Sequence, residues 1–128
     1  MKLLLDTHLL LWAANQFDKL SPTAIQLMGD PHNELVFSAA SIWEITIKQG
    51  LGRDDFKVNP RLLRRGLLEN GYQELVITSL HALVVSQLAP IHKDPFDRLL
   101  VAQAQSESIV LLTVDNLVAQ YGDMVKLV

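Results

Sequence analysis

The chain has 128 residues, 49% of them hydrophobic and 20% charged, enough for one domain with a real core and too apolar for a disordered chain. It contains no cysteine, which excludes disulfides, zinc–thiolate centres and thiol catalysis. Fourteen acids against 11 bases give a net charge of −3, which does not advertise nucleic-acid binding but suits a chain that gathers carboxylates around a cation.

Lys2 to Leu5 is a short apolar run that reads as a buried strand. Met1 to Leu5 is interrupted at Asp6 and lacks a cleavage-site pattern, so we expect no signal peptide. No apolar run is long enough to span a bilayer, and a cytoplasmic, membrane-free protein is expected. Asp6-Thr7-His8 leads almost without a loop into a helix over Leu9 to Ala14. Asp6 thus stands at the carboxyl end of a strand, where open α/β sheets bind ligands. The plainer alternative makes Asp6 or Thr7 a helix N-cap.

Ser21-Pro22 opens a second helix that runs to Gly29, and Glu34 to Phe37 form a second strand. Ser38 to Gln49 form a third helix, stopped by Gly50 and Gly52. On it Ala40, Trp43, Glu44, Ile47 and Leu51 share one side, which places Glu44 inside an apolar stripe. A carboxylate there needs a cation, a base or a hydrogen-bond network. Ile42 and Ile45 form a competing apolar side that would leave Glu44 at the edge. Asn59-Pro60 caps a fourth helix carrying Arg61, Arg64 and Arg65 on one face, with Arg53 and Lys57 nearby. This basic cluster either tracks a phosphate backbone or is a solvated helix face.

Leu75 to Ile77 read as a third strand, and Ser79 begins a helix that reaches Leu88 before Pro90. In the segment that follows, Asp94 fits an N-cap, Pro95 the first helical position, and Asp97 the first turn, where the helix dipole favours an anion. Capping alone accounts for Asp94. Ile109 to Leu112 form a fourth strand, and Thr113-Val114-Asp115-Asn116 repeats the pattern of a strand ended by Asp and followed by a helix, here through Tyr121. Met124 to Val128 would be an edge strand. Residues 1–128 contain no repeats and no internal boundary, so a single domain is expected. Strands alternating with helices predict a three-layer α/β/α sandwich around a mainly parallel sheet.

If the strand ends carrying Asp6 and Asp115 are neighbours, these two acids converge with Glu44 and Asp97. Four close carboxylates repel unless a cation neutralises them. Oxygen donors without a His or Cys set select Mg²⁺, with Mn²⁺ as a substitute, over Zn²⁺. Such ions polarise a phosphodiester and activate water. Thr7 and Thr113 are candidates to orient the carboxylates; Lys48, one turn beyond Glu44, and Arg98, next to Asp97, are candidates to hold a phosphate or neutralise the acids. His8, His32, His81 and His92 show no ligand spacing and receive no role.

The segments Leu4–Trp12, Ser38–Lys48, Asp94–Ala104 and Leu112–Asp115 resemble, in order and over nearly the whole length, the PIN domain of VapC-type ribonuclease toxins. The resemblance implies a PIN-like α/β fold, a quartet of Asp6, Glu44, Asp97 and Asp115 that holds Mg²⁺ and activates water, an RNA substrate, and a homodimer inhibited by a cognate antitoxin. Two other readings stay open at this point. Asp6 is a phosphoacceptor of the receiver or phosphatase kind, although His8 stands where such phosphatases carry a second Asp. Alternatively the chain is a non-catalytic binding module, which would leave the four acids without a purpose.

Overall fold

A computed structural model describes residues 1–128. The elements are β1 (Lys2–Leu5), α1 (Thr7–Asn15), α2 (Pro22–Gly29), β2 (Glu34–Ser38), α3 (Ala39–Gly50), α4 (Pro60–Glu69), β3 (Gln73–Leu75), α5 (Ser79–Val85), α6 (Pro95–Glu107), β4 (Val110–Thr113), α7 (Asn116–Ala119) and β5 (Val125–Leu127), with two short 3₁₀ turns at Phe17–Lys19 and Asp54–Phe56. The five strands lie in the order β3-β2-β1-β4-β5, and every neighbouring pair is parallel.

Alternation along β1 divides the interior in two. Leu3 and Leu5 point to a core shared with Leu9 and Leu10 of α1, Ala24 of α2, and Leu63 and Leu67 of α4. Leu4 points the other way, to Leu100, Val101 and Ala104 of α6 and Val118 of α7. A parallel sheet buried on both faces explains why β1 is apolar at three successive positions. The expected three-layer α/β/α arrangement is therefore observed. No helix is long and apolar enough to cross a membrane.

Most helix starts follow the capping chemistry. Ser21, Ser38, Asn59, Asp94 and Asp115 each accept backbone N–H groups at the heads of α2, α3, α4, α6 and α7. Beyond shifts of a residue or two at other ends, β3 and α5 depart from expectation. β3 covers Gln73–Leu75 instead of residues 75–77, because its partner β2 ends at Ser38, opposite Leu75. Val76 and Ile77 have no strand to pair with and lie exposed. α5 stops at Val85 and does not reach Leu88; the Val85 carbonyl accepts from Arg98 Nη2.

The inner side of α3 also differs. Ala40, Ser41, Glu44 and Ile45 face inward, whereas Trp43 and Leu51 are 57% and 73% exposed. The apolar stripe expected through Trp43, Ile47 and Leu51 is an outward ridge. Glu44 is buried because polar partners receive it, not because hydrophobic neighbours surround it.

Candidate metal centre

From β1 the chain proceeds to β2 on one side, while β4 takes the other. Such a reversal of strand order leaves a crevice outside the carboxyl ends of the strands. β1 delivers Asp6 there, β4 delivers Thr113 and Asp115, α3 supplies Glu44 from beyond β2, and the first turn of α6 supplies Asp97.

Asp6 is the most tightly held. Its Oδ1 accepts from Leu9 N (2.9 Å), capping α1; its Oδ2 accepts from Thr113 Oγ1 (2.7 Å) and Val114 N (3.0 Å). Burial raises its pKa above the ordinary value, and the bonds from Leu9, Thr113 and Val114 work against that rise. At 4% exposure with both oxygens engaged, Asp6 is poorly placed to attack a phosphoryl group, which speaks against the phosphoacceptor reading. It is an N-cap and a member of the acid group together.

Glu44, 3% exposed, accepts from Thr7 Oγ1 at Oε1 (2.6 Å) and from Lys48 Nζ at Oε2. Ser41 Oγ stands 3.0 Å from Thr7 Oγ1 and completes this set. Lys48 Nζ also lies 3.7 Å from Asp94 Oδ2, between the rings of Phe56 (4.9 Å) and Phe96 (5.9 Å). Asp94 caps α6, its Oδ1 accepting from Phe96 N (2.8 Å) and Asp97 N (3.2 Å).

Asp115 Oδ1 accepts from Leu117 N (2.8 Å) and Oδ2 meets His92 Nε2 at 2.9 Å. Burial would raise its pKa, but the bonds from His92 and Leu117 outweigh that and hold it below the usual carboxylate range. Asp97 is the opposite case. Burial first, then the charges of Asp94 and Glu44, push it up to about 7, against a lowering by His92; Asp6 adds to the rise. The one contact to its carboxylate is His92 Nε2, at 3.4 Å. Asp97 is thus the acid whose charge the protein leaves least compensated.

Of the four acids, Asp97 and Asp115 lie within ligand reach of each other, together with His92; Asp6 and Glu44 are outside that set, each held by its own threonine, but near enough for their charges to raise the pKa of Asp97. Arg98 does not join them, contrary to the sequence expectation of a phosphate-holding role. Its guanidinium donates to the carbonyls of Val85 (3.0 Å), Ala89 (3.0 Å) and His92 (3.4 Å) and to Tyr121 Oη (3.0 Å), bracing the segment between α5 and α6. Arg61, Arg64 and Arg65 are exposed on α4, and Arg64 is paired with Glu74 at 3.2 Å.

His92 was missed by the sequence reading, which looked for metal-ligand spacing among histidines. The signal available was its place five residues before Asp97, at the entry to the same capped helix. His92, Asp97 and Asp115 offer potential ligand atoms that all lie within 4.8 Å of one another. The donor chemistry fits a hard divalent cation: carboxylate oxygens predominate, and the protein compensates the charge of Asp97 least.

The PIN domain family matches residues 3–123 of the chain. Among curated proteins none matches significantly. Among solved structures, VapBC2 from Rickettsia felis, bound to a DNA fragment from their promoter, is similar in fold with a TM-score of 0.72 and 14% identity, over 99% of this chain and 97% of that one. VapBC-1 from nontypeable Haemophilus influenzae is similar with a TM-score of 0.55 and 20% identity, over 88% of this chain and 86% of that one.

Proposed function

Because the chain belongs to the PIN domain family, we propose that it is a Mg²⁺-dependent endoribonuclease and the VapC-type toxin of a type II toxin–antitoxin pair. Residues 1–128 act as a single nuclease domain in the cytoplasm in this reading. The observation that supports it is Asp97, within ligand reach of Asp115 and raised in pKa by the charges of Glu44 and Asp6, so that acids from four separate parts of the chain bear on one place.

These four acids would hold the cation, with Mn²⁺ able to replace Mg²⁺. When bound, such an ion supplies positive charge to a phosphodiester and makes water a better nucleophile near neutral pH. The protein's own groups do the positioning. Thr113 and the Leu9 and Val114 amides fix Asp6, and Thr7 fixes Glu44. Lys48 tempers the charge of Glu44 and leaves Asp97 to respond to the cation. Arg61 and Arg65 on α4 would meet the RNA backbone.

Two further surfaces support the partners. An apolar cleft of ≈ 830 Å³ between α1, α2 and α4, lined by Leu20, Ile25, Met28, Leu62 and Leu63, suits an antitoxin segment. Exposed Trp43 and Ile47 on α3, Leu51 just past its end, and Leu80 and Leu83 on α5 suit a homodimer.

The test is RNA cleavage by purified wild type, Asp6→Asn and Asp97→Asn, with Mg²⁺ and with EDTA, circular dichroism reporting folding. Cleavage should need the cation and vanish in both folded variants. Metal-dependent cleavage retained in both would sink the assignment.

A further inference from the structure

Asp97 and Asp115 come from different elements, one from the first turn of α6 and the other from the turn between β4 and α7, and like charges on them would drive the two apart. His92 stands between them. Its Nε2 lies 2.9 Å from Asp115 Oδ2 and 3.4 Å from Asp97 Oδ2. Its other ring nitrogen, Nδ1, accepts the backbone N–H of Asp94 at 3.0 Å. A nitrogen that accepts an N–H carries no proton of its own, so the imidazole proton resides on Nε2 and points at the carboxylates.

The backbone of the residue is held as well. The backbone N–H of His92 donates to Tyr121 Oη at 2.9 Å, and its carbonyl accepts from Arg98 Nη1. Tyr121 follows α7 and Arg98 belongs to α6, so His92 is anchored to the same two regions that carry the acids it joins.

We propose that His92 is a positioning residue of the metal centre: its Nε2–H is bonded to Asp115 and faces Asp97 at 3.4 Å, which holds the two acids at ligand separation before a cation arrives, and the ring stays outside the cation's coordination shell. This rests on the nuclease reading of the site for its purpose, but not for its geometry. A carboxylate oxygen has a lone pair to spare after accepting one hydrogen bond, so the bridge and the cation are compatible on Asp115 Oδ2. Direct ligation through Nε2 would require that nitrogen to lose its proton, and moving the proton to Nδ1 would set it against the Asp94 N–H.

The experiment has two arms. Ring-nitrogen NMR on ¹⁵N-histidine-labelled protein should show a protonated Nε2 and an unprotonated Nδ1 for His92, without metal and at saturating Mg²⁺. Calorimetric titration with Mg²⁺ and with Mn²⁺ should show affinity falling about tenfold or more in His92→Phe, the usual scale for a group that orients a ligand. His92→Gln, whose side-chain N–H₂ can replace the donor, should recover most of it, which a purely structural role would not predict. Loss of the Nε2 proton on metal addition would overturn the proposal in favour of ligation; unchanged affinity in His92→Phe would overturn it outright. Failure of the nuclease reading looks different, with wild type binding neither ion and cleaving no RNA, while the metal-free spectrum still reads where the proton sits.

Discussion

Replacing Asp97 by Asn should make the metal-free protein more stable while removing its activity. The Asp97 carboxyl is 23% exposed and its pKa is pushed up from 3.8 to about 7 by burial and by the charges of Asp94 and Glu44. A group that binds its proton more tightly in the fold than in the unfolded chain favours folding below the unfolded value, and that contribution disappears as pH rises through the folded value. Ionised Asp97 therefore burdens the fold at pH 8, and the gap between 3.8 and about 7 is worth about 4 kcal/mol. Asn has the same shape and no charge, so it escapes the cost. For a chain of this length that corresponds to a rise in Tm on the order of 10 °C. Thermal denaturation in EDTA from pH 4 to pH 8 should show the two proteins converging near pH 4, separating as the pH rises to about 7, and holding a constant gap above that. Mg²⁺ should then narrow the gap by stabilising wild type alone. A difference that does not change between pH 4 and pH 8, or an Asn variant no more stable than wild type at pH 8, would refute the reasoning.

Asp94→Asn should retain most of the cleavage activity, since Asn caps as well as Asp, while Asp94→Ala should lose about 1 kcal/mol in urea denaturation; equal losses of activity in Asp94→Asn and Asp97→Asn would mean that the two acids share one role. Arg98→Met should destabilise the protein by about 2 kcal/mol, because the carbonyls of Val85, Ala89 and His92 lose their charged donor, and amide hydrogen exchange should quicken between residues 85 and 92. Arg61→Glu with Arg65→Glu should weaken RNA binding and flatten its dependence on salt, read by fluorescence anisotropy at several ionic strengths; unchanged binding would remove α4 from the RNA path.

Much of this architecture is written locally, and local writing is legible. Asp6, Ser21, Asn59, Asp94 and Asp115 each carry their own helix start in side-chain chemistry, and the apolar run of β1 announces a strand buried on both faces. The sequence motifs pointed to the same family that matches residues 3–123. What escaped was set by partners distant in the chain. β3 stops where β2 stops, which no property of Leu75-Val76-Ile77 reveals. The rotation of α3 depends on Thr7 holding Glu44 across 37 positions of sequence; hydrophobic periodicity left two sides in competition, and the observed inner side takes Ala40 and Glu44 from one and Ile45 from the other. Arg98 sits beside Asp97 in sequence yet turns to carbonyls behind it, because a residue next to an acid on a helix faces a different direction. His92 carries only the weak signal of its place before Asp97, since the partner it bonds, Asp115, is 23 residues away.

The bond from Thr113 to Asp6 joins positions 107 residues apart, and β1 lies between β2 and β4. A chain still emerging from the ribosome can pair β1 with β2 early, but the other edge of β1 stays bare until β4 has been synthesised. Until then Asp6 lacks Thr113 and Val114, Asp115 does not exist, and His92 has nothing to bridge. Closing so long a loop is a late and slow event in folding. The centre is consequently assembled in stages: the Thr7–Glu44 pair can form once α3 is made, and the bonds that fix Asp6, with Asp115 beside them, follow only with β4. The order in which the strands are made is thus also the order in which the site acquires its parts.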